Sequence, residues 1–437
     1  METGFRFQRV AWALLALAAC LASGCAHYVA APLSDSPPVA AQTSPAIDLS
    51  QPLDAKALAS IAILANPDLQ AMRTRLGVAE AQAFSARLLP DPTFSLGIDH
   101  LVSGPDPLEN LVGQLGLDLA ALRSGKVVRG GSAAQVAQVR FDVAWAEWQT
   151  AGQARLQAVR VIALGQIAAL QGDNRQTARS LLERTLRAAG RGDLAGDQVQ
   201  AARLSTLDAE DKLRTAERDL IAARYELARL LGLMPDFPLR LAPFVVPEVK
   251  VDAARLSDIA IAQRLDLKAL REGYSAQEFA VHKAVLDQFP TLSLTLTGTR
   301  DPTNNKLFGP AVGFTLPLWN KNHGGIAVAQ ATRAQLKAEY AARLFQTRAD
   351  IAAAAAGIRL AQAQRADLAG QIGKLETYAK SVARAAARGD LALSTAEVAQ
   401  QSLRDKQIAQ IAANQAIAEQ SIALELLTGV PLEDWKP

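Results

Sequence analysis

The chain has 437 residues with 46 basic and 43 acidic side chains, and its net charge of +3 excludes nucleic-acid binding through bulk electrostatics. Half of the residues are hydrophobic but only 5% are aromatic, and Ala, Leu and Gln dominate long stretches, which favours thin, closely packed helices over a bulky core. Two cysteines and four scattered histidines leave little material for thiol or metal chemistry.

Arg6 and Arg9 precede an apolar run from Val10 to Leu21, then Ala22-Ser23-Gly24 and Cys25. A basic segment, a short apolar segment and small residues describe a secretory signal, and the following cysteine resembles a bacterial lipobox. Residues 1–24 read as a lipoprotein signal peptide with Cys25 as the lipid attachment point. Leu17-Ala18-Ala19-Cys20 competes for that role, and an ordinary signal peptide or an uncut anchor is the alternative. The apolar run is too short to span a membrane. Ala26, where an Asp would retain a lipoprotein at the inner membrane, implies onward transport to the outer membrane. Residues 25–54, rich in Pro, Ala and Ser, read as a tether.

An internal duplication organises the remainder. Pro92-Thr93-Phe94-Ser95-Leu96 recurs 198 residues on as Pro290-Thr291-Leu292-Ser293-Leu294, and Asp68-Leu69 recurs at the same offset as Asp266-Leu267. Arg191-Gly192-Asp193-Leu194 recurs identically, 197 residues on, as Arg388-Gly389-Asp390-Leu391. Two units follow, 55–235 and 253–430, joined by a proline-rich linker or equatorial segment over 236–252 and ended by a tail at 431–437.

Each unit opens with a helix (Pro67–Leu88; Asp266–Gln288) that stops at a proline. Two strands follow. Phe94, Leu96 and Ile98, then Leu115, Leu117 and Leu119, alternate with polar residues around the loop Gly104-Pro105-Asp106-Pro107. In the second unit Leu292, Leu294 and Leu296 alternate, as do Val312, Phe314, Leu316 and Leu318 after the turn Asp301–Asn305. Period two gives one apolar and one polar face, at a length suited to tilted membrane strands. A soluble hairpin is the alternative reading. Then come Ser124–Ala188 and His323–Ala387, each 65 residues without proline, the second with apolar seams Leu344-Ile351-Ile358 and Leu368-Leu375-Val382. The Gly-Asp turns end these helices, and returning helices of about 35 residues follow. Four strands cannot close a barrel, and hydrocarbon does not tolerate an open sheet edge. The expected fold is therefore mainly α, with a small membrane β-barrel: a trimeric, 12-stranded barrel continued by a periplasmic α-helical tunnel.

The duplicated plan resembles the outer-membrane efflux factors of the TolC-like family over essentially the whole chain after the tether. The segment Leu316-Pro317-Leu318-Trp319-Asn320-Lys321-Asn322-His323-Gly324-Gly325 resembles the strand-to-helix junction of the cobalt–zinc–cadmium (CzcC-like) branch, with His323 in place of Gln. Pro317, Trp319, Asn320, Asn322, Gly324 and Gly325 carry that signature, whereas the first-unit counterpart Leu119–Lys126 is degenerate. The resemblance implies a homotrimeric, passive channel in the Gram-negative outer membrane. Its partners would be a periplasmic adaptor (membrane fusion protein), an inner-membrane resistance-nodulation-division pump and outer-membrane lipid, with heavy-metal cations as cargo. It implies no enzyme activity, no cofactor and no bound metal.

The same resemblance makes Arg191, Gly192, Asp193, Leu194, Arg388, Gly389, Asp390 and Leu391 the adaptor-docking tips, although Gly-Asp also suits a plain helix cap. The pore-narrowing aspartates of the family correspond here to Thr395 and Val398, which leaves Glu397 and Asp390 as candidate pore-lining carboxylates. His27, His100, His282 and His323 are isolated, and no phosphate-binding loop or nucleophile elbow is present. Trp319 and Trp435 are candidate interface anchors, while packing better suits Trp145 and Trp148. A drug or type I secretion duct shares this architecture. A periplasmic coiled-coil adaptor is the alternative from another class.

Overall fold

A computed structural model describes residues 28–33, 51–100, 102–103 and 109–435. Cys20, Cys25, His27 and the loop Gly104–Pro107 lie outside the described residues. Residues 28–33 are exposed and have no regular structure.

The remaining elements follow one plan twice. Helices α1 (Ala55–Ala65) and α2 (Pro67–Ser85) lead to strands β1 (Thr93–Asp99) and β2 (Asn110–Asp118), then to the long helix α3 (Ala120–Gly190) and the returning α4 (Gly196–Leu230). Helices α5 (Ala253–Gln263) and α6 (Leu265–Leu286), strands β3 (Leu292–Arg300) and β4 (Lys306–Phe314), and helices α7 (His323–Ala387) and α8 (Leu393–Thr428) repeat it. At about 1.5 Å per residue, the 71 residues of α3 and 65 of α7 extend roughly 100 Å each.

Two local corrections to the expected elements have physical causes. Short helices α1 and α5 precede the expected first helices, because Asn66 and Arg264 break each run with non-helical ψ angles of 122° and 127°. Pro67 imposes that conformation on Asn66, whose side chain then caps α2 by accepting from the Leu69 N–H. Strand β4 ends at Phe314, so Leu316 and Leu318 fall outside the ladder. Pro317 has no N–H to donate, and the Leu318 N–H turns back to the Leu316 carbonyl. The segment between the units packs against its neighbours: Leu53 forms a parallel bridge with Leu241, Val249 is buried, and Gln362 donates to the Val249 carbonyl.

Packing repeats with the sequence. In the first unit Leu58 and Ala62 of α1 meet Ala154 and Val161 of α3 and Leu227 of α4. In the second, Leu256 and Ala260 of α5 meet Ile351 and Ile358 of α7 and Leu424 of α8. These residues correspond one for one at the duplication offset. The expected seams hold in part: Ile351 and Ile358 are fully buried and Leu368 and Val382 buried, whereas Leu344 and Leu375 are half-buried. Helix α3 joins the two units by packing on α6 and α8 as well as on α4.

Small residues allow those crossings. A Cβ on Gly130 would lie 2.6 Å from Cε1 of Phe279 on α6, and one on Gly152 would collide with the head of Leu426 on α8. Replacing Gly152 by Leu is expected to destabilise the protein by about 1–3 kcal/mol through overpacking, read as a lower midpoint in thermal unfolding followed by circular dichroism.

Candidate functional site

The four strands form one antiparallel sheet in the order β1-β2-β3-β4, so the two hairpins meet through β2 and β3. Directly paired residues share a face, and the register separates most side chains by character, with Val112 and Leu307 as apolar members of the otherwise polar face and Arg300 and Lys306 as basic members of the apolar one. One face carries the rows Phe94-Leu115-Leu296-Pro310, Leu96-Gly113-Gly298-Phe308 and Leu117-Leu294-Val312, with Leu292 opposite Phe314. The other carries Thr93-Gly116-Thr295-Ala311 and Ser95-Gln114-Thr297-Gly309, with Asp118 opposite Ser293. The apolar face is bare in the single chain, with Phe308 79% exposed. Strands β1 and β4 each present an outer edge that no strand among the described residues pairs.

At the far end of β3 and β4, Asp301 builds the turn. Its carboxylate accepts from the side chain and N–H of Asn305, and from the N–H and hydroxyl of Thr303. Those bonds, the Asn305 amide foremost, hold its carboxyl below the ordinary range.

At the near end, the signature segment re-aims the chain from sheet to helix. Lys321 and Asn322 both adopt left-handed backbone, and the Asn322 amide donates to the Ala284 carbonyl at 2.8 Å, tying the turn to α6. A Cβ at Gly325 would collide with the Asn322 side chain, whereas Gly324 has open space around it. Trp319 is 90% exposed beside Asn320, and His323 is the first residue of α7. The first unit needs no such turn. Asp118 accepts from the Ala120 N–H at 2.8 Å and α3 starts at once, which explains why its counterpart sequence lacks the motif.

The two Arg-Gly-Asp-Leu turns are geometric twins. Gly192 and Gly389 have φ of +81° and +84°. Asp193 donates its N–H to the Ala188 carbonyl and Gly192 to Ala189; Asp390 and Gly389 donate likewise to Ala385 and Ala386. Both are therefore Schellman helix ends that require glycine. In each, the arginine closes on the aspartate two residues on, Arg191 to Asp193 at 2.9 Å and Arg388 to Asp390 at 2.8 Å. Both pairs are exposed, and Leu194 is half-buried where Leu391 is exposed. Glu397 lies one turn into α8, where Arg404 of the same helix holds it at 2.9 Å, and both side chains are largely buried.

Sequence reading did not find a further constellation, the joint between the short and long elements. The buried Arg264 guanidinium grips Asp266 with two bonds, 2.9 and 2.7 Å, donates to the Leu427 carbonyl, and stacks over the Trp145 ring at 4.9 Å. Trp145 thus packs against a cation, while Trp148 and Trp435 pack against separate apolar clusters. The first-unit counterpart is neutral: Asn66 donates to the Leu230 carbonyl at 3.0 Å. The matches Asp68/Asp266 and Leu69/Leu267 adjoin this joint, so the duplication was its only signal.

Among the described residues, no group of three or more His, Cys, Asp or Glu is arranged to hold a metal ion, and no helix is long and apolar enough to cross a membrane. His100 lies 2.7 Å from Glu109, beyond the ends of β1 and β2.

A half-polar sheet on a duplicated scaffold of very long helices defines the fold class of outer-membrane channels. Residues 256–430, the second unit, match the family model described as outer membrane efflux protein. The chain is similar in fold to the outer-membrane channel OprN (16% identity, TM-score 0.73, 93% of this chain and 99% of that one covered). It is likewise similar to CusC (15% identity, TM-score 0.73, 93% and 99% covered) and to the CmeC outer membrane channel of Campylobacter jejuni (14% identity, TM-score 0.74, 86% and 85% covered). No curated protein sequence matches the chain.

Removing Arg264 leaves Asp266 buried with only Arg343, at 3.8 Å, nearby. Arg264→Ala is expected to cost about 3–5 kcal/mol and Asn66→Ala about 1–2 kcal/mol, compared by thermal unfolding. Burial, and then the charge of Asp266, raise the Asp142 carboxyl above its ordinary range. A raised carboxyl favours the folded state only while protonated, so its ionisation weakens the fold as pH climbs through the folded value. Asp142→Asn is accordingly expected to raise the melting temperature at neutral pH, with the gain vanishing below about pH 4.

Proposed function

We propose that the protein is the outer-membrane channel of a tripartite efflux assembly, a passive conduit and not an enzyme. The observation that carries this reading is the sheet: one face apolar and bare, one polar, and both outer edges open. In hydrocarbon those edges must pair, and a second and third copy supply the partners, closing twelve strands around a polar lumen. Helices α3, α4, α7 and α8 from three chains would continue the lumen as a periplasmic tunnel. Cys25, if acylated, would anchor the chain to the membrane from its periplasmic side.

At the remote ends of the long helices, Arg191–Leu194 and Arg388–Leu391 would meet a periplasmic adaptor coupled to an inner-membrane resistance-nodulation-division pump. Rigid glycine turns with exposed charges suit recognition of a partner's tip. The strand-to-helix signature at Pro317–Gly325 favours heavy-metal cations as cargo over drugs or secreted proteins. A coiled-coil adaptor is disfavoured, because its soluble hairpins would not need a bare apolar sheet face on two joined hairpins.

Detergent extraction of the membrane fraction, followed by the mass of the intact particle, tests the conduit. The expected outcome is a heat-labile particle of three chains in the outer-membrane fraction that conducts ions in planar bilayers. A soluble monomer would overturn it. Charge reversal at both tips, Arg191→Glu with Arg388→Glu, is expected to weaken adaptor capture while the trimer stays intact, measured by pull-down with the cognate adaptor.

A further inference from the structure

The duplication leaves half of its own packing unused. Helix α3 of the first unit packs on α8 of the second. Val159 joins Ala418, Ile422 and Leu426 in an apolar cluster there, with Trp148 and Leu156 against it, and Gly152 admits Leu426 because it has no Cβ. The reciprocal pair would be α7 of the second unit on α4 of the first. No comparable packing of those two helices occurs among the described residues.

The residues for that packing are in place. At the 197-residue offset Trp148, Gly152, Val159 and Ala163 correspond to Phe345, Ala349, Ala356 and Leu360 of α7, and Ala418 and Ile422 correspond to Ile221 and Tyr225 of α4. The first set is buried or half-buried, whereas the second is bare: Phe345 is 77% exposed, Leu360 72%, Tyr225 52% and Ile221 50%. Their spacings of three, four and seven place each row on one helix face. The fit of sizes is kept, since the small Ala349 and Ala356 stand where Gly152 and Val159 receive the side chains of α8. Charge agrees with it. Arg155 pairs with Glu425 across the α3–α8 seam and marks its antiparallel register. Carried over to α7 and α4 and extended toward the glycine turns, that register brings Asp367 beside Arg214, both exposed and of opposite sign.

We propose that the row Phe345-Ala349-Ala356-Leu360 of α7 is the seat for α4 of a second copy of this chain, centred on Ile221 and Tyr225 of that copy, in the register that α8 adopts on α3. This rests on the conduit reading above and names the surface by which the copies join beyond the sheet. The copy whose β1 pairs the open edge of β4 brings its first unit against α7, so sheet edge and helical seam form one continuous interface. The contact is head-to-tail, which closes into a ring and excludes a two-fold dimer. The Arg155–Glu425 pair has no charged counterpart in this seam, because Ala352 and Ala228 stand at those positions. Apolar contact therefore holds the copies together along the row, where an ion pair bolts the units within one chain.

The test is cross-linking of the full chain in the membrane fraction. Ala356→Cys combined with Ile221→Cys or with Tyr225→Cys, oxidised and run on denaturing gels without reductant, is expected to give covalent dimers and trimers that return to monomer on reduction. Each single variant should stay at the background that the wild type sets through Cys20 and Cys25. So should Ala356→Cys with Leu204→Cys, whose second thiol lies about 25 Å further along α4. As a second readout, Phe345→Glu with Leu360→Glu is expected to abolish the multi-chain particle while the chain keeps its helical circular dichroism. A particle of three chains without cross-links above background, or one that survives the paired glutamates, would overturn this seat and leave the conduit reading standing. Equal cross-linking of the Leu204 control would also overturn it. A wild-type chain that is monomeric by mass in the membrane fraction would overturn both.

Discussion

Everything in this molecule follows from a sheet that cannot finish itself. Four strands satisfy one another's backbone groups internally and leave β1 and β4 with an unpaired side each. One face is too apolar for water and the other too polar for hydrocarbon. On the proposed reading a lipid phase meets the first face, a lumen meets the second, and further strands meet the edges. On the proposed reading, trimerisation is a hydrogen-bonding requirement before it is a functional one.

The helices inherit the same dependence. Helices α3 and α7 both follow from strands of one sheet, α6 packs on each of them, and α3 packs on α4 and α8 as well. Helices of this length, poor in aromatic residues, find their stability in lateral contact along the whole chain rather than in one thick core. Glycines at the crossings and alanines in the seams bring the axes close enough for modest side chains to fill the space. The duplication supplies both halves of this frame, and its departures from symmetry are informative. Ala154 of one core faces the role of Ile351 in the other, and Asn66 holds the joint that Arg264 holds with charge. The second unit, most of which matches the efflux family model, is the one whose joint is charged.

Much was legible in advance. Alternation in Thr291–Thr299, the absence of proline over His323–Ala387 and the glycine turns each express a local preference, and the structure returns them within a residue or two. The short helices α1 and α5 escaped because their boundaries depend on the single non-helical residues Asn66 and Arg264, one of them set by a following proline. The run Leu316-Pro317-Leu318 misled because alternation continues past the point where Pro317 ends the ladder. The joint itself escaped for a different reason: Arg264, Trp145, Arg343 and Leu427 lie far apart in the chain, and no local pattern joins them.

The sequence by itself determined the order of elements, the duplication, the apolar and polar faces of each hairpin and the glycine-dependent turns. These are properties of neighbouring residues, set by φ/ψ preference and by periods of two and three and a half. Only the tertiary structure decided that β2 pairs with β3 to merge two hairpins into one sheet, and that Arg264 locks the second joint against Trp145 and the Leu427 carbonyl. Each of those depends on which distant surfaces meet, and chain spacing carries no record of that until the long helices have packed.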